Sequence, residues 1–215
     1  MKSILLIGLG RFGRHAAMKL QELHHEVLAI DKDEQRVSDA LPFVTNAQIG
    51  DSTNEAFIES LGVRNFDLCI VAIGDNFQSS LETTALLKEH GASFVLSRAT
   101  REVHAKFLLR NGADDIVYPE KQMAEWAAVR YSSSHIFDYV ELTPEYAIYE
   151  TAVPASWVGK TVVELAVRQR YRINILAVRR EGVLEPLPGP SHCFHAGERV
   201  FVLGRNRDVE KFLRT

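Results

Sequence analysis

Residues 8–13 read Gly-Leu-Gly-Arg-Phe-Gly and follow an apolar run of branched residues that ends at Ile7. The acidic residue Asp31 comes 18 positions after Gly13, at the end of a second apolar run. Strand, glycine loop, helix, strand and acid in this order are typical of nucleotide-binding folds. The first glycine allows a tight turn, the second a close approach of the backbone to a phosphate, and the third the packing of the helix on the strand. The phosphates then bind the amides of the helix N-terminus. Asp31 would accept hydrogen bonds from a ribose diol, and its charge disfavours NADP.

Composition limits the classes of protein that fit this chain. Its 215 residues are 46% hydrophobic and 25% charged, which suits one large or two modest globular domains. The net charge of −3 gives no electrostatic footprint for nucleic acid. No signal peptide is expected before the first strand, and no apolar stretch approaches the roughly 20 residues of a membrane-spanning helix. Cys69 and Cys193 form no disulfide framework. These features favour a cytoplasmic protein without nucleic-acid partners or direct membrane insertion.

Residues 1–134 alternate between strand and helix patterns, and a helix beginning at Pro119 closes the segment. This alternation predicts a Rossmann-like α/β domain with a doubly wound parallel sheet. Turn chemistry supports the boundaries, because Asp33 and Asn54 are typical helix N-caps and Gly91 and Gly112 are typical of helix ends. The predicted strands are 3–8, 26–31, 43–49, 67–73, 93–97 and 115–118, and the predicted helices are 12–24, 33–41, 54–61, 76–90 and 101–111.

Residues 135–215 follow a serine-rich break and predict a small α+β domain. The segment at 136–142 is amphipathic, and strands are expected at 147–153, 172–179, 183–186 and 199–203. Helices are expected at 158–169 and 208–213. A domain of about 70 residues is marginal for an independent core, so pairing with a second copy is plausible.

Further candidate binding residues follow the ends of the predicted strands, where ligands of parallel sheets gather. Arg11 lies inside the glycine loop, and a guanidinium can bind phosphate oxygens through two hydrogen bonds. Simpler roles stay open: a tight turn for the glycines, a solvated strand end or helix cap for the acids, and a solvated surface for the arginines. The predicted nucleotide contacts are Gly8, Gly10, Arg11, Phe12, Gly13, Asp31, Lys32, Arg36, Asp51, Ser52, Thr53, Ile73, Gly74, Asp75, Asn76 and Arg98.

The chain resembles the RCK or KTN proteins, which regulate potassium transporters and channels, and is most similar to the Ktr/Trk-type uptake regulators. The resemblance covers essentially the whole chain. Its most specific parts are Ile-Gly-Leu-Gly-Arg-Phe-Gly at 7–13, His-Glu-Val-Leu-Ala-Ile-Asp at 25–31, Ser-Leu-Gly-Val-Arg-Asn-Phe-Asp at 60–67, Val-Ala-Ile-Gly at 71–74 and Gly-Ala-Asp-Asp-Ile-Val-Tyr-Pro-Glu-Lys at 112–121.

The resemblance implies a regulatory mechanism without catalysis. Such subunits form homodimers that assemble into a ring, commonly an octamer, beneath a membrane-embedded potassium-conducting subunit. They are cytoplasmic and reach the inner face of the cell membrane through that partner. ATP and ADP, and in some members NAD or NADH, occupy the glycine-loop site and favour different ring shapes.

The resemblance also implies roles for individual residues. Arg11 would sense the terminal phosphate of ATP, and Arg98 would face the phosphates. Glu120 would help bind Mg²⁺ or Ca²⁺ beside them, although an acid at a helix start is favoured by the helix dipole alone. In the small domain, the residues that match a cyclic di-AMP site of some relatives are Arg168, Asn174, Ile175 and Pro190.

Two other functions compete with this interpretation. An NAD-dependent oxidoreductase would share the fold, but the sequence after residue 140 offers no convincing catalytic constellation. A redox-sensing transcription factor would need a DNA-binding module and a basic face, and the sequence has neither. His192-Cys193-Phe194-His195 has the spacing of metal ligands but lacks the second pair that a structural zinc site needs.

Overall fold

The computed structural model describes residues 1–214. The chain forms two compact units that divide between Gln122 and Met123. This division falls within the helix that begins at Pro119. The domain boundary proposed from the sequence, between residues 134 and 135, stays a prediction, and the two units are described separately.

The first unit contains alternating strands and helices, as the sequence pattern predicts. Its strands are β1 (Ser3–Ile7), β2 (Glu26–Asp31), β3 (Asn46–Ile49), β4 (Leu68–Val71), β5 (Val95–Arg98) and β6 (Asp115–Val117). Its helices are α1 (Arg11–Glu22), α2 (Glu34–Ala40), α3 (Glu55–Ser60), α4 (Phe77–Glu89) and α5 (Glu102–Arg110), followed by α6 (Pro119–Ser132).

The six strands form one sheet in the order β3-β2-β1-β4-β5-β6, and every neighbouring pair is parallel. This is the doubly wound arrangement that the sequence predicts. The strand order reverses between β1 and β4, and ligands of such sheets bind at this switch point.

The central strand β1 is buried on both faces, as parallel sheets require. Ile4 and Leu6 pack into one core with Ala17 of α1. Leu5 and Ile7 pack into the other core with residues of α3 and α4. The continuous apolar run at residues 4–7 thus places helices on both sides of the sheet and fixes the end of β1 beneath the glycine loop.

The second unit contains strands β7 (Ile136–Thr143), β8 (Tyr146–Ala152), β9 (Asn174–Arg180), β10 (Val183–Pro186) and β11 (Arg199–Arg205), and helices α7 (Val162–Leu165), α8 (Val167–Tyr171) and α9 (Asn206–Leu213). The strands form one antiparallel sheet in the order β10-β9-β11-β8-β7. The aromatic core of this unit is centred on the buried Trp157, whose ring lies 5.2 Å from that of Phe194 and 5.0 Å from that of Phe212.

The single helix predicted over 158–169 is wrong. The chain first turns at Gly159, and α7 begins with Thr161 and Glu164 in a reciprocal capping box. Ala166 then adopts the left-handed conformation, with φ 47° and ψ 44°, which ends α7 and starts α8. The periodicity of apolar residues continues across this break, so the sequence pattern alone does not reveal it.

Smaller boundary differences have local causes. The strand predicted over 43–49 begins at Asn46, because residues 41–43 form a short 3₁₀ turn that contains Pro42. The strand predicted from Arg172 begins at Asn174, since Arg172 is left-handed with φ 57°. In the described part of the chain, every helix is too short or too polar to cross a bilayer.

Candidate functional site

A cleft of about 310 Å³ opens at the carboxyl ends of β1, β2 and β4, where the strand order reverses. It is lined by Ile7, Gly8, Gly10, Arg11, Ile30, Asp31, Lys32, Arg36, Gly50, Asp51, Ser52, Thr53, Ala72, Ile73, Gly74, Asp75, Asn76, Ser79 and Arg98. Of the predicted contacts in the first unit, all but Phe12 and Gly13 line this cleft. The sequence analysis missed Ser79, which follows the helix cap Asn76 by one turn of α4.

The glycine loop is shaped by contacts that exclude side chains. Gly8 has φ 96°, in the region that favours glycine. A Cβ on Gly13 would lie 1.8 Å from the carbonyl oxygen of Gly8, so only glycine lets α1 approach β1 this closely. A Cβ on Gly10 would meet no atom within 4 Å, because this residue borders the open cleft. Gly13 is therefore a packing residue, and Gly10 faces the space where a ligand would lie.

The N-terminus of α1 faces the cleft through Gly10, its N-cap, and Arg11, its first residue. Gly10 has no side chain to cap the helix, and the first turn of α1 carries no acidic residue. The positive end of the helix dipole is therefore not neutralised by a carboxylate of the same turn, which favours an anionic ligand. Arg11 is exposed and adds a full positive charge at the same place.

Asp31 connects the glycine loop to the turn after β2. Its Oδ2 accepts a hydrogen bond from the Leu9 amide at 2.6 Å, and its Oδ1 accepts one from the Asp33 amide at 2.9 Å. The side chain is only 6% exposed. Asp31 is thus neither a solvated strand end nor the N-cap of α2, since Asp33 accepts the capping bond from the Arg36 amide. Each carboxylate oxygen has a second lone pair, which a ribose hydroxyl can use.

Two more strand ends contribute polar side chains to the cleft. Asp51 Oδ1 accepts hydrogen bonds from the Thr53 amide at 3.0 Å and the Thr53 hydroxyl at 2.8 Å, and these bonds lower the pKa of Asp51. Ser52 is buried, and its Oγ lies 2.8 Å from Thr83 Oγ1 of α4. After β4, Asn76 caps α4 by accepting a hydrogen bond from the Ser79 amide.

Arg98 reaches the cleft from the end of β5. Its Nη2 donates to Glu120 Oε1 at 2.6 Å, and its Cζ lies 5.8 Å from the centre of the Phe12 ring. A Cβ on Gly74 would lie 2.3 Å from Arg98 Nη1, so glycine at this position leaves room for the guanidinium. Phe12 therefore packs against Arg98 and the apolar core and does not line the cleft.

The comparisons with known proteins agree with this architecture. Residues 4–119 match the TrkA-N domain family, and residues 147–215 match the TrkA-C domain family. The chain belongs to the TrkA-N/TrkA-C family.

Two relatives in this family come from Bacillus subtilis (strain 168). The chain is 39% identical to the Ktr system potassium uptake protein C over 98% of its own length and 96% of the relative's. It is 36% identical to the Ktr system potassium uptake protein A, again over 98% of its length and 95% of the relative's. Both relatives are similar to this chain from end to end.

A solved structure of the GsuK channel shares the fold, with a TM-score of 0.71 over 98% of this chain at 16% identity. This chain spans 38% of that structure's length. The structure of the GsuK channel bound to NAD gives a TM-score of 0.68 over 96% of this chain, also at 16% identity. These similarities confirm the fold that the sequence predicts for both units of this TrkA-N/TrkA-C protein.

The second unit of this family member carries a separate cavity of about 430 Å³. Three of the four residues proposed for cyclic di-AMP line it, namely Arg168, Ile175 and Pro190. Asn174 is absent from the lining and opens β9 opposite Leu203 of β11. The other lining residues are mostly apolar: Val162, Val163, Ala166, Val167, Gln169, Ile173 and Pro188.

Within residues 1–214, no group of three or more His, Cys, Asp or Glu side chains is arranged so that it could hold a metal ion. Glu120, the residue predicted to bind a cation, is ion-paired with Arg98. In the 192–195 motif, His195 Nδ1 lies 3.2 Å from Glu198 Oε1, and His192 Nε2 lies 3.7 Å from Glu198 Oε2. Glu198 thus sits between the two imidazoles.

Proposed function

We propose that this protein is a nucleotide-sensing regulatory subunit of a Ktr-type potassium uptake system. The observation that carries the proposal is the switch-point cleft, where a glycine loop, a helix N-terminus, a buried aspartate and three arginines meet. The full-length similarity to Ktr uptake proteins supports the connection with potassium.

ATP and ADP are the proposed ligands, and NAD or NADH would make the same contacts through its adenosine half. Asp31 holds the ribose, because its oxygens keep free lone pairs after binding the Leu9 and Asp33 amides. Lys32 and Arg36 border the ribose and base. The strand ends at 51–53 and 73–76 complete the wall around them, and the N-terminus of α1 binds the phosphates.

Arg11 and Arg98 are the proposed phosphate sensors. Both line the cleft, and guanidinium groups form strong charge-assisted hydrogen bonds with phosphate oxygens. A nucleotide with more phosphates engages them more fully and so stabilises a different arrangement of the assembly. Regulation then needs only that each nucleotide binds one arrangement of the assembly more tightly than the other.

The protein is proposed to act without catalysis. Two carboxylates of the cleft are held in structural hydrogen bonds, Asp31 on two backbone amides and Asp51 on Thr53. The hydrogen bonds from Thr53 lower the pKa of Asp51, which suits a binding group better than a general acid.

The proposed assembly is a homodimer that builds an octameric ring below a membrane-embedded potassium-conducting subunit. This places the protein in the cytoplasm, at the inner face of the cell membrane. Glu120 is proposed to bind Mg²⁺ or Ca²⁺ when phosphates occupy the cleft, because hard cations favour carboxylate and phosphate oxygens together.

Cyclic di-AMP is proposed as a second ligand, at the cavity of the second unit. Arg168 can bind its phosphates, whereas Ile175 and Pro190 offer apolar surface to its bases. The position of Asn174 outside the lining gives this residue the weakest support of the four.

The test is potassium flux through a Ktr-type membrane subunit reconstituted in vesicles with this protein, with ATP or ADP as the added nucleotide. Flux that differs between the two nucleotides, and only when this protein is present, supports the proposal. Potassium flux that does not change when ATP or ADP is added, although the two proteins bind each other, contradicts the proposal.

A further inference from the structure

A carboxylate of the protein already engages one of the arginines of the cleft. Arg98 Nη2 donates to Glu120 Oε1 at 2.6 Å, and the Arg98 side chain is 15% exposed, whereas that of Glu120 is 57% exposed. A contact this short between two full charges is among the stronger hydrogen bonds that side chains form. An incoming phosphate therefore meets an arginine that is already paired.

The surroundings of Arg98 leave its guanidinium little freedom to bind the Glu120 carboxylate and a ligand phosphate at the same time. Its Nη1 lies against the backbone at Gly74, and its Cζ lies 5.8 Å from the Phe12 ring centre. Its Nε is buried and has no hydrogen-bond partner in the structure. The guanidinium thus extends from the end of β4, inside the cleft, to the first turn of α6, where Glu120 lies.

A second arginine that lines the cleft, Arg11, also acts electrostatically on Glu120. A hydrogen bond from its own backbone amide lowers the pKa of Glu120. Burial opposes this effect, and the hydrogen bond and charge of Arg98, followed by the charge of Arg11, lower the pKa further. The carboxylate is therefore ionised at neutral pH. It offsets positive charge at the place where phosphates would bind.

We propose that Glu120 is a specificity-determining residue whose carboxylate competes with the ligand's phosphates for Arg98. This inference rests on the proposed function, because it concerns the nucleotide of the same cleft. In the absence of divalent cations, the Glu120 carboxylate repels the phosphates and weakens nucleotide binding in proportion to their charge. A nucleoside without phosphates is not repelled. The Glu120 side chain is 57% exposed, so solvent screens this repulsion, and we expect it to lower ADP affinity by about tenfold.

The test is isothermal titration calorimetry of the full chain with adenosine and with ADP, in buffer that contains EDTA. Glu120→Gln keeps an oxygen that accepts from Arg98 and removes only the charge. We expect this variant to bind ADP about tenfold more tightly than the wild-type protein and to bind adenosine with an affinity within about twofold of it. EDTA removes the cations that Glu120 is also proposed to bind, so they do not contribute to the result.

Glu102→Gln is the matched control. Glu102 lies in the first turn of α5, as Glu120 lies in the first turn of α6, and its carboxylate pairs with Lys121 at 2.6 Å. Its side chain is 63% exposed, close to the value for Glu120. Glu102→Gln changes the net charge by the same amount as Glu120→Gln and likewise removes a negative charge from a helix N-terminus. We expect its ADP affinity to equal that of the wild type.

The outcomes separate this inference from the proposed function. Unchanged or weaker ADP binding by Glu120→Gln overturns the inference while nucleotide binding stands, because Glu120 would then only position Arg98 or have no role. An equal gain in Glu102→Gln also overturns it, since the effect would be one of overall charge. If the wild-type protein binds neither adenosine nor ADP, the proposed function and this inference fail together.

Discussion

At the scale of single residues, the three glycines of the loop have different physical roles. The sequence motif predicts packing of the helix on the strand for the third glycine and a close approach to phosphate for the second, and the structure gives Gly13 a packing role and Gly10 a position at the open cleft. This difference can be measured, because one substitution should affect folding and the other only binding.

Gly13→Ala should lower the free energy of unfolding by about 2–4 kcal/mol, because its Cβ would lie 1.8 Å from the Gly8 carbonyl oxygen and force α1 away from β1. Gly10→Ala is the matched variant. Its φ of −64° suits alanine and its Cβ meets nothing, so stability should change by less than about 0.5 kcal/mol. Urea unfolding measures both. Calorimetry should show weaker ADP binding by Gly10→Ala, and full affinity there would contradict the role of Gly10.

Arg11→Ala tests the phosphate sensor. The residue is exposed at the first position of α1, so its removal should leave the fold intact. ATP affinity should fall by roughly tenfold, the value of one charge-assisted hydrogen bond, and ADP affinity should fall less. The measurement is calorimetry with both nucleotides, and Arg14→Ala on the next turn serves as the control. An equal loss for ATP and ADP would exclude a sensor of the terminal phosphate.

At the scale of elements, the sequence predicts the first unit well because local signals and tertiary packing agree there. Asp33, Asn54 and Asn76 each cap a helix through their side chains, and the apolar runs form buried strands. The second unit is less predictable. The break between α7 and α8 depends on the left-handed Ala166, a conformation that tertiary contacts impose on a residue with good helix propensity.

The strain at Ala166 leads to a prediction. Ala166→Gly should raise the free energy of unfolding by about 1 kcal/mol, because glycine adopts a φ of 47° without a Cβ penalty. Ala128→Gly, at an exposed position within α6, should lower it by about 1 kcal/mol. Chemical denaturation measures both changes. A loss of stability in Ala166→Gly would show that the local backbone is not strained.

The motif predicts which residues line the cleft better than it predicts which hydrogen bonds and ion pairs those residues form. It predicts that Asp31 lies at the cleft, as the structure shows, but the bonds of the Asp31 carboxylate to the Leu9 and Asp33 amides depend on how the loop folds back. The pairing of Arg98 with Glu120 joins residues 22 positions apart on β5 and α6. No local pattern encodes such a contact, so only the assembled sheet reveals it.

At the scale of the whole molecule, buried His104 should link stability to pH. Burial, followed by the charges of Arg101 and Arg98, lowers the pKa of His104 below 6.5. The unfolded chain therefore binds a proton on this residue at a higher pH than the folded chain does. Stability is fully present above pH 6.5 and declines as the pH falls through the interval between the two pKa values.

His104→Phe should flatten the decline in the free energy of unfolding just below pH 6.5, because phenylalanine keeps the ring against Phe77 and does not titrate. His15→Phe, at an exposed position of α1, is the control and should keep the slope of the wild type. Urea unfolding at several pH values measures the slopes. If the two variants have the same slope, His104 is not the group responsible.

The central claim is that an adenine nucleotide binds the switch-point cleft of a ring-forming regulator. Native mass spectrometry of the purified protein, titrated with ATP, ADP, NADH and cyclic di-AMP with and without Mg²⁺, tests it most directly. The account predicts an even-numbered assembly that carries ATP or ADP, and weaker occupancy after Gly10→Ala. A small oligomer that binds only NADH, or an assembly that binds no adenine nucleotide, would contradict the account.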